Sequence, residues 1–173
     1  MTPAGHASVA YLAGFGIPWL SMSALVTGAL LPDIDYVFYS FPWFSGIHRV
    51  LTHNLFFILA VSLPALLFAS PGKRIRVFSS LLLGGMLHLL TDACFDSNPQ
   101  NGIGVAILWP LSDAFFSPFN LLGPRITAAW WPDGLPRRMK VFLLLAWDLP
   151  FIAAAGAIFI KRHKETVTRS RNP

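Results

Sequence analysis

The chain has 173 residues, of which 54% are hydrophobic and only 12% are charged, and its mean hydropathy is +0.57. Soluble globular proteins carry about 25% charged residues, so this composition excludes an ordinary water-facing surface and indicates an integral membrane protein. The net charge of +5 does not indicate a nucleic-acid partner, because the cations lie in short clusters beside apolar segments. The single cysteine, Cys94, excludes an internal disulfide.

The first apolar segment, residues 7–31, contains glycines and a proline around residues 14–18. Proline removes a backbone donor and disfavours helix at the residue before it. The segment therefore predicts a short helix over about 4–14 and a second helix over about 18–31.

A reversal of the chain at this break would join the two helices in a hairpin and bring their outer ends together. His6 would then lie near Asp33 and Asp35, which one straight helix would hold roughly 40 Å away at ~1.5 Å per residue. Pro32 is expected to end the second helix directly before the two aspartates.

Further apolar helices are predicted over about 48–69, 76–95 and 140–160, each close to the ~20 residues that span a bilayer. The aromatic stretch 36–47 is typical of the membrane–water boundary, and residues 95–138 have the composition of interfacial or re-entrant structure. The expected fold class is all-α. It is an integral membrane helical bundle with a short N-terminal helical hairpin, about three further membrane helices and an interfacial or re-entrant segment.

The chain is expected to form one membrane-embedded domain over 1–160, followed by a polar basic tail over 161–173. More cations lie in the loop at 73–76 and in this tail than at the opposite helix ends, which favours a cytoplasmic location for both. The opposite helix ends would then face the periplasm or the exterior.

Histidines and aspartates mark the predicted helix ends that alternating helix directions bring to one membrane face. His88 and Asp92 lie four residues apart, so a helix places both on one side, where they can contact the same ligand. Ionisable groups at membrane depth are costly, and they are seldom placed there without pairing or function. The candidate metal ligands at this face are His6, Asp33, Asp35, His48, His53, His88 and Asp92.

Imidazole and carboxylate together are the usual ligands for zinc, and they also suit manganese or iron. A catalytic zinc needs about three protein ligands and an open position for water, so this many candidates predict two metal ions with a bridging carboxylate or hydroxide. The sequence contains no serine-nucleophile motif and no glycine-rich phosphate loop, which favours hydrolysis by a metal-activated hydroxide. Asp33, Asp35 and His53 are the predicted catalytic residues.

Arg49, Thr52 and Trp109 are predicted to support this site or to contact the substrate. The Thr52 hydroxyl can orient a ligand, and the Arg49 guanidinium can bind a lipid or substrate phosphate. Trp109 suits an interface anchor or a pocket wall. Four further aspartate and histidine residues are predicted not to be ligands: Asp96, Asp113, Asp148 and His163.

Each candidate ligand also has an ordinary structural interpretation. His88 and Asp92 can form a hydrogen-bonded pair that joins two helices. His6 and His48 can be polar residues at the ends of apolar segments, and the two aspartates after Pro32 can be ordinary helix-end carboxylates.

Five short motifs occur in order within roughly residues 1–112. They are Gly5-His6, Leu30-Leu31-Pro32-Asp33-Ile34-Asp35, His48-Arg49-Val50-Leu51-Thr52-His53, His88-Leu89-Leu90-Thr91-Asp92 and Leu108-Trp109-Pro110. Together these motifs resemble the YdjM-type family of inner-membrane proteins, which are predicted metal-dependent hydrolases. The resemblance implies a prokaryotic inner-membrane location.

The YdjM-type family is itself distantly similar to the zinc-dependent phospholipase C and P1 nuclease superfamily. Those all-α enzymes use clustered zinc ions on phosphodiesters, and a His-x-x-x-Asp helix pair carries one of the metals. His88 and Asp92 match that pair. The superfamily's further His…Glu ligand set has no counterpart here, since Glu165 is the only glutamate.

The sequence therefore predicts a membrane-embedded, metal-dependent hydrolase that cleaves a phosphate ester, either a phosphodiester or a phospholipid or lipid-linked headgroup. The expected cofactor is a divalent metal, two zinc ions first and manganese or iron otherwise, and the expected partners are membrane lipids and the substrate. The alternatives are a metal transporter or sensor, and a structural metal-binding membrane protein without catalysis. Transport sites usually lie near the bilayer midplane at broken helices, whereas these ligands lie at helix ends.

Overall fold

The computed structural model describes residues 1–95, 104–117 and 137–171; these residues are mainly helical and contain no strand. The predicted all-α class is confirmed for these residues. The α-helices are α1 (Pro3–Phe15), α2 (Met22–Leu30), α3 (Phe44–Ile47), α4 (Leu55–Ser62), α5 (Pro64–Phe68), α6 (Arg74–Phe95) and α7 (Arg137–Arg171). Two 3-10 helices cover Leu31–Phe38 and Pro71–Lys73.

The predicted N-terminal hairpin is confirmed. Helices α1 and α2 pack against each other, and the turn between them contains the backbone hydrogen bonds Ile17 N to Gly14 O and Leu20 N to Ile17 O, both 3.1 Å. Helix α2 begins at Met22, later than the predicted start at residue 18, because the proline-containing turn occupies residues 16–20.

Helices α2 and α6 approach each other closely at two glycines. A Cβ atom added to Gly28 would collide with the carbonyl group of Leu81, and one added to Gly84 would collide with the backbone of Leu25 and Ala29. Glycine is the residue that lets two helix backbones come this close. This contact places the C-terminal ends of both helices at the same end of the molecule.

The prediction that Pro32 ends the second helix is wrong in one respect. The α-helix does end at Leu30, but the chain continues as the 3-10 helix Leu31–Phe38. Proline is tolerated in the first turn of a helix because the N–H it lacks would have no partner there. In this 3-10 helix Asp33 and Asp35 are buried, while Ile34 between them is exposed.

The predicted helix 48–69 starts too early. The segment from His48 to Asn54 is irregular, and Arg49 has a positive φ of 68°. Asn54 begins helix α4: its side-chain oxygen accepts a hydrogen bond from Phe57 N at 2.8 Å, and its Nδ2 donates to the carbonyl of Val50 at 2.8 Å. His53 therefore lies before the helix and not within its first turn.

The segment 104–117 holds this irregular stretch in place. Ala106 N donates to Arg49 O at 3.2 Å, and Leu55 N donates to Ile107 O at 3.0 Å. Val105 and Phe116 form an isolated antiparallel bridge that closes the segment on itself. Most of the predicted interfacial region, and Asp96 with it, lies outside the described residues.

One helical segment in the described part of the chain, Pro71–Phe95, is long and apolar enough to cross a membrane. It coincides with the predicted helix 76–95. Helix α7 is longer than the predicted 140–160, and it continues to Arg171 through most of the segment expected to be a polar tail. The several membrane crossings expected from the sequence stay a prediction.

Candidate metal centre

The structure brings all seven candidate ligands together into one buried cluster. They form three groups of three residues. In each group every residue offers one potential ligand atom, and these three atoms lie within 4.8 Å of one another. The groups are His6–His88–Asp92, Asp33–His53–His88 and Asp35–His48–His53. Because His88 and His53 each belong to two groups, the three groups form one continuous chain of ligands.

The orientation of the His88 ring is set by the end of helix α2. Its Nδ1 lies 2.7 Å from the carbonyl oxygen of Ala29. A carbonyl only accepts hydrogen bonds, so Nδ1 carries the hydrogen and the Nε2 of the neutral ring carries a lone pair. This is the tautomer that a histidine ligand presents to a metal through Nε2.

Thr91 sets the orientation of the His6 ring. Its hydroxyl lies 2.9 Å from the carbonyl oxygens of Leu87 and His88, so its single hydrogen is donated to the helix backbone. The hydroxyl oxygen therefore accepts from His6 Nδ1 at 2.9 Å, and His6 Nε2 is left with a lone pair. The His6 and His88 rings stack with their centroids 3.7 Å apart.

The other two histidines are also held through Nδ1. His48 Nδ1 lies 2.9 Å from Asp35 Oδ2, and because a carboxylate accepts, the imidazole donates. His53 Nδ1 lies 3.0 Å from the Thr52 hydroxyl. Thr52 therefore contacts its neighbouring histidine, as the sequence predicts for a residue that orients a ligand.

Side-chain atoms that can bind a metal meet at the centre of the cluster. His6 Nε2 lies 3.1 Å from Asp92 Oδ1, and His53 Nε2 and His88 Nε2 lie 3.5 and 3.6 Å from Asp92 Oδ2. All three Nε2 atoms are buried without a hydrogen-bond partner among the described residues. Unsatisfied buried acceptors cost free energy, and a divalent cation would satisfy them together. The residues present therefore fit a metal.

Burial keeps the histidines in the form that a metal requires. Burial lowers the pKa of His6 to about 4, against the attraction of Asp92, and burial also holds the pKa of His53 well below its usual range. Both imidazoles are thus neutral at pH 7. Burial raises the pKa of Asp33.

Positive charge approaches the cluster at Asp92. Arg49 Nε lies 3.9 Å from Asp92 Oδ2, and the amino nitrogen of Met1 lies 2.8 Å from Asp92 Oδ1. Arg49, predicted to contact a phosphate, is therefore close to the candidate ligands. Trp109 is half-buried in the segment 104–117, which the structure ties to residues 49–55.

Three of the residues predicted not to be ligands, Asp113, Asp148 and His163, belong to none of the three ligand groups. Asp113 and His163 are exposed. Asp148 is only 1% exposed, but it binds the backbone and side chain of Thr2 and does not belong to any of the three groups.

Sequence reasoning missed the residues that orient the ligands. Thr91 lies inside the His88–Asp92 motif, three residues after His88. A helical threonine at this spacing can bond its hydroxyl to the carbonyl three residues earlier, and this could have identified Thr91 as a residue that orients a ligand. The Ala29 carbonyl and the Asp148 side chain carried no such signal, because their partners lie far away in the chain.

Replacing Thr91 by valine should weaken metal binding about tenfold to a hundredfold, the usual cost of removing a group that orients a ligand. Valine has the shape of threonine without the hydroxyl that fixes His6 Nδ1. Zinc affinity measured by competition with a chelator would test this. A Thr91→Ser variant keeps the hydroxyl and should bind zinc like the wild type, whereas equal loss in both variants would contradict the assignment.

The comparison with protein families adds to this geometry. A family model described as YdjM inner membrane protein matches residues 1–164. The chain belongs to this family. The match extends beyond the motif-bearing residues 1–112 into helix α7, so membership of an inner-membrane family is carried by almost the whole chain. Searches of curated proteins and of solved structures gave no match, and the similarity to the phospholipase C superfamily stays a prediction.

Proposed function

We propose that the chain is a membrane-embedded, metal-dependent hydrolase that cleaves a phosphate ester of a phospholipid or lipid-linked headgroup. The observation that carries this proposal is the meeting of three imidazole Nε2 atoms and the Asp92 carboxylate with no hydrogen-bond partner for the nitrogens. The cluster lies at the C-terminal end of the apolar helix α6. A membrane lipid presents its phosphate esters at such a helix end.

The ligand groups divide naturally between two divalent ions. His6, His88 and Asp92 would hold one ion, and Asp35, His48 and His53 would hold the other; Asp33 belongs with His53 and His88 between them. When bound, two divalent ions lower the pKa of a water molecule and polarise the phosphate. Zinc suits these ligands best, and manganese or iron is acceptable.

The chain itself would supply phosphate binding and proton transfer. The Arg49 guanidinium, near Asp92, presents the planar donors that pair with phosphate oxygens. Asp33 Oδ2 is buried without a hydrogen-bond partner among the described residues, and burial raises the Asp33 pKa, so this oxygen is suited to accept a proton. The hydrogen bonds of His53 to Thr52 and of Asp35 to His48 would hold these two ligands in position beside Asp33.

An aromatic surface beside the cluster supports a lipid substrate. The rings of Tyr36 and Phe44 each lie 4.9 Å from the His48 ring. On the outer side of the same segment Val37 is 72% exposed, and Tyr39 and Trp43 are also exposed. Exposed aromatic side chains of this kind favour the membrane interface.

The membrane arrangement is part of the proposal. Besides α6, residues 141–160 of α7 form an apolar stretch with Asp148 as its only charged residue, which supports a second crossing. The basic loop at 73–76 and the basic end of α7 would lie in the cytoplasm, and the metal cluster would face the periplasm.

A second candidate function is favoured by the burial of His6, His53 and His88. Such a buried centre can tie helices together as a structural metal site without catalysis. Closed structural sites hold four protein ligands, whereas a catalytic site keeps a position for water. Hydrolysis is the measurement that separates the two candidates.

The detergent-solubilised protein should contain about two zinc or manganese ions per chain, as a paired site requires. Chelation should abolish cleavage of a chromogenic phosphodiester and of phospholipid in mixed micelles, and adding back the metal should restore it. Metal content and product release are measured on the same preparation. Stoichiometric metal without cleavage of either substrate would favour the structural centre, and failure to bind metal after zinc addition would rule out both.

A further inference from the structure

We propose that Asp148 and Thr2 act as a positioning pair that fixes helix α1 so that His6 reaches the metal centre. The inference rests on the proposed metal site. Neither residue belongs to a ligand group, and neither is needed for the chemistry proposed above. Their effect on the site would pass entirely through His6.

Asp148 binds the residue that caps helix α1. Its Oδ2 accepts a hydrogen bond from Thr2 N at 2.8 Å and another from the Thr2 hydroxyl. The Thr2 oxygen in turn accepts from Gly5 N at 3.3 Å, which is the capping bond of α1. One carboxylate oxygen from α7 therefore sets where α1 begins.

The first turn of α1 transmits this position to His6. His6 N donates to Thr2 O at 3.0 Å, so the imidazole extends from the turn that Asp148 holds. Its Nε2 reaches Asp92 Oδ1 at 3.1 Å. A short displacement of Thr2 would move His6 out of ligand distance, since metal–nitrogen bonds vary by only about 0.2 Å.

Gly5 permits the close contact between α1 and Asp148. A Cβ atom at this position would lie 2.6 Å from the Asp148 carboxyl carbon and 2.7 Å from Oδ2. Any larger residue would displace the Asp148 carboxylate and disturb its bonds to Thr2. The glycine immediately before His6 therefore belongs to the same arrangement.

The carboxylate is costly for the fold alone. Asp148 is the only charged residue of the apolar stretch 141–160, it is 1% exposed, and its Oδ1 has no hydrogen-bond partner among the described residues. An ionisable group in such a segment is expensive, and it points to a function with a specific partner. Here that partner is Thr2.

The test compares zinc affinity and thermal unfolding of the full-length chain in detergent. Asp148→Ala and Thr2→Val should each weaken zinc binding about tenfold or more at the His6 group, as loss of an orienting group does. Thr2→Ser keeps the hydroxyl and Asp148→Asn keeps an acceptor oxygen, so both should retain most of the affinity. Asp113→Ala, which removes an exposed aspartate, is the matched control.

A double-mutant cycle with His6→Ala separates positioning from general stability. If Asp148 acts through His6, Asp148→Ala should not weaken zinc binding further once His6 is absent. An equal loss of affinity in both backgrounds would overturn the proposal, as would lowered thermal stability with unchanged affinity. Should Asp148→Ala fail to fold, Thr2→Val decides the matter by the same cycle.

The outcome is distinguishable from failure of the hydrolase proposal. Wild-type protein that binds zinc but cleaves no phosphate ester would remove the hydrolase and leave the positioning pair standing on affinity. Metal-dependent cleavage by the wild type, together with unchanged zinc affinity in Asp148→Ala, would remove the positioning pair and leave the hydrolase. Wild-type protein that binds no metal would overturn both.

Discussion

Replacing His53 by alanine is expected to remove more metal than replacing His48, although the two imidazoles are neighbours. His53 belongs to two of the three ligand groups, whereas His48 belongs to one. The His53→Ala protein should hold about one ion per chain, in the His6–His88–Asp92 group that does not include His53. Its hydrolysis should fall on the order of 10³-fold, as when a principal charge-stabilising group is lost. Metal content by mass spectrometry and turnover on a phosphodiester measure the two effects.

His163→Ala is the matched control, because this histidine is exposed near the basic end of α7. It should keep the metal content and the rate of the wild type. His88→Ala should behave like His53→Ala, since His88 also belongs to two groups. Equal losses of metal and of hydrolysis on replacing each of the four cluster histidines would contradict a continuous ligand chain.

The substitution Gly84→Ala is expected to disrupt both the fold and the site. Its Cβ would meet the backbone of Leu25 and Ala29, and backbone cannot move aside as a flexible side chain can. Overpacking of this kind typically costs 1–3 kcal/mol, so we expect a loss of about 3 kcal/mol. Because Ala29 O holds His88 Nδ1, metal affinity should fall together with stability.

Gly156→Ala in α7 controls for the change of residue type. A Cβ there would meet open space, so this helical glycine should accept alanine without loss of stability or metal. Unfolding in detergent followed by circular dichroism, with and without zinc, gives both quantities. Equal stability of the two variants would show that α2 and α6 do not need this close approach.

The sequence predicted the N-terminal hairpin because glycine and proline interrupt an apolar segment, and this signal is local. The hairpin in turn predicted that His6 would meet Asp33 and Asp35, and the structure places all three in one cluster. The length of the apolar run at 76–95 was equally informative, since α6 covers Arg74–Phe95.

The irregular segment before α4 could not be predicted in the same way. Residues 48–54 continue into an apolar run, and nothing in that run marks the helix start except the capping side chain of Asn54. The hydrogen bonds that keep this segment non-helical join Arg49 O to Ala106 N and Leu55 N to Ile107 O, more than fifty residues later in the chain. Distant pairing overrode a local helix pattern.

The orienting residues were harder still to predict. A sequence pattern shows imidazoles and carboxylates, but it does not show which backbone carbonyl will receive an Nδ1 hydrogen. The bond between His88 and Ala29 depends on how α2 packs on α6, and that depends on glycines whose role is visible only in three dimensions.

The bond between Thr2 and Asp148 joins positions 146 residues apart. During biosynthesis Thr2 and His6 are made well before Asp148, the carboxylate that binds the start of their helix. A nascent chain thus contains all seven candidate ligands before it contains Asp148. If Asp148 positions His6 as proposed, metal binding at His6 is expected to follow the synthesis and packing of helix α7.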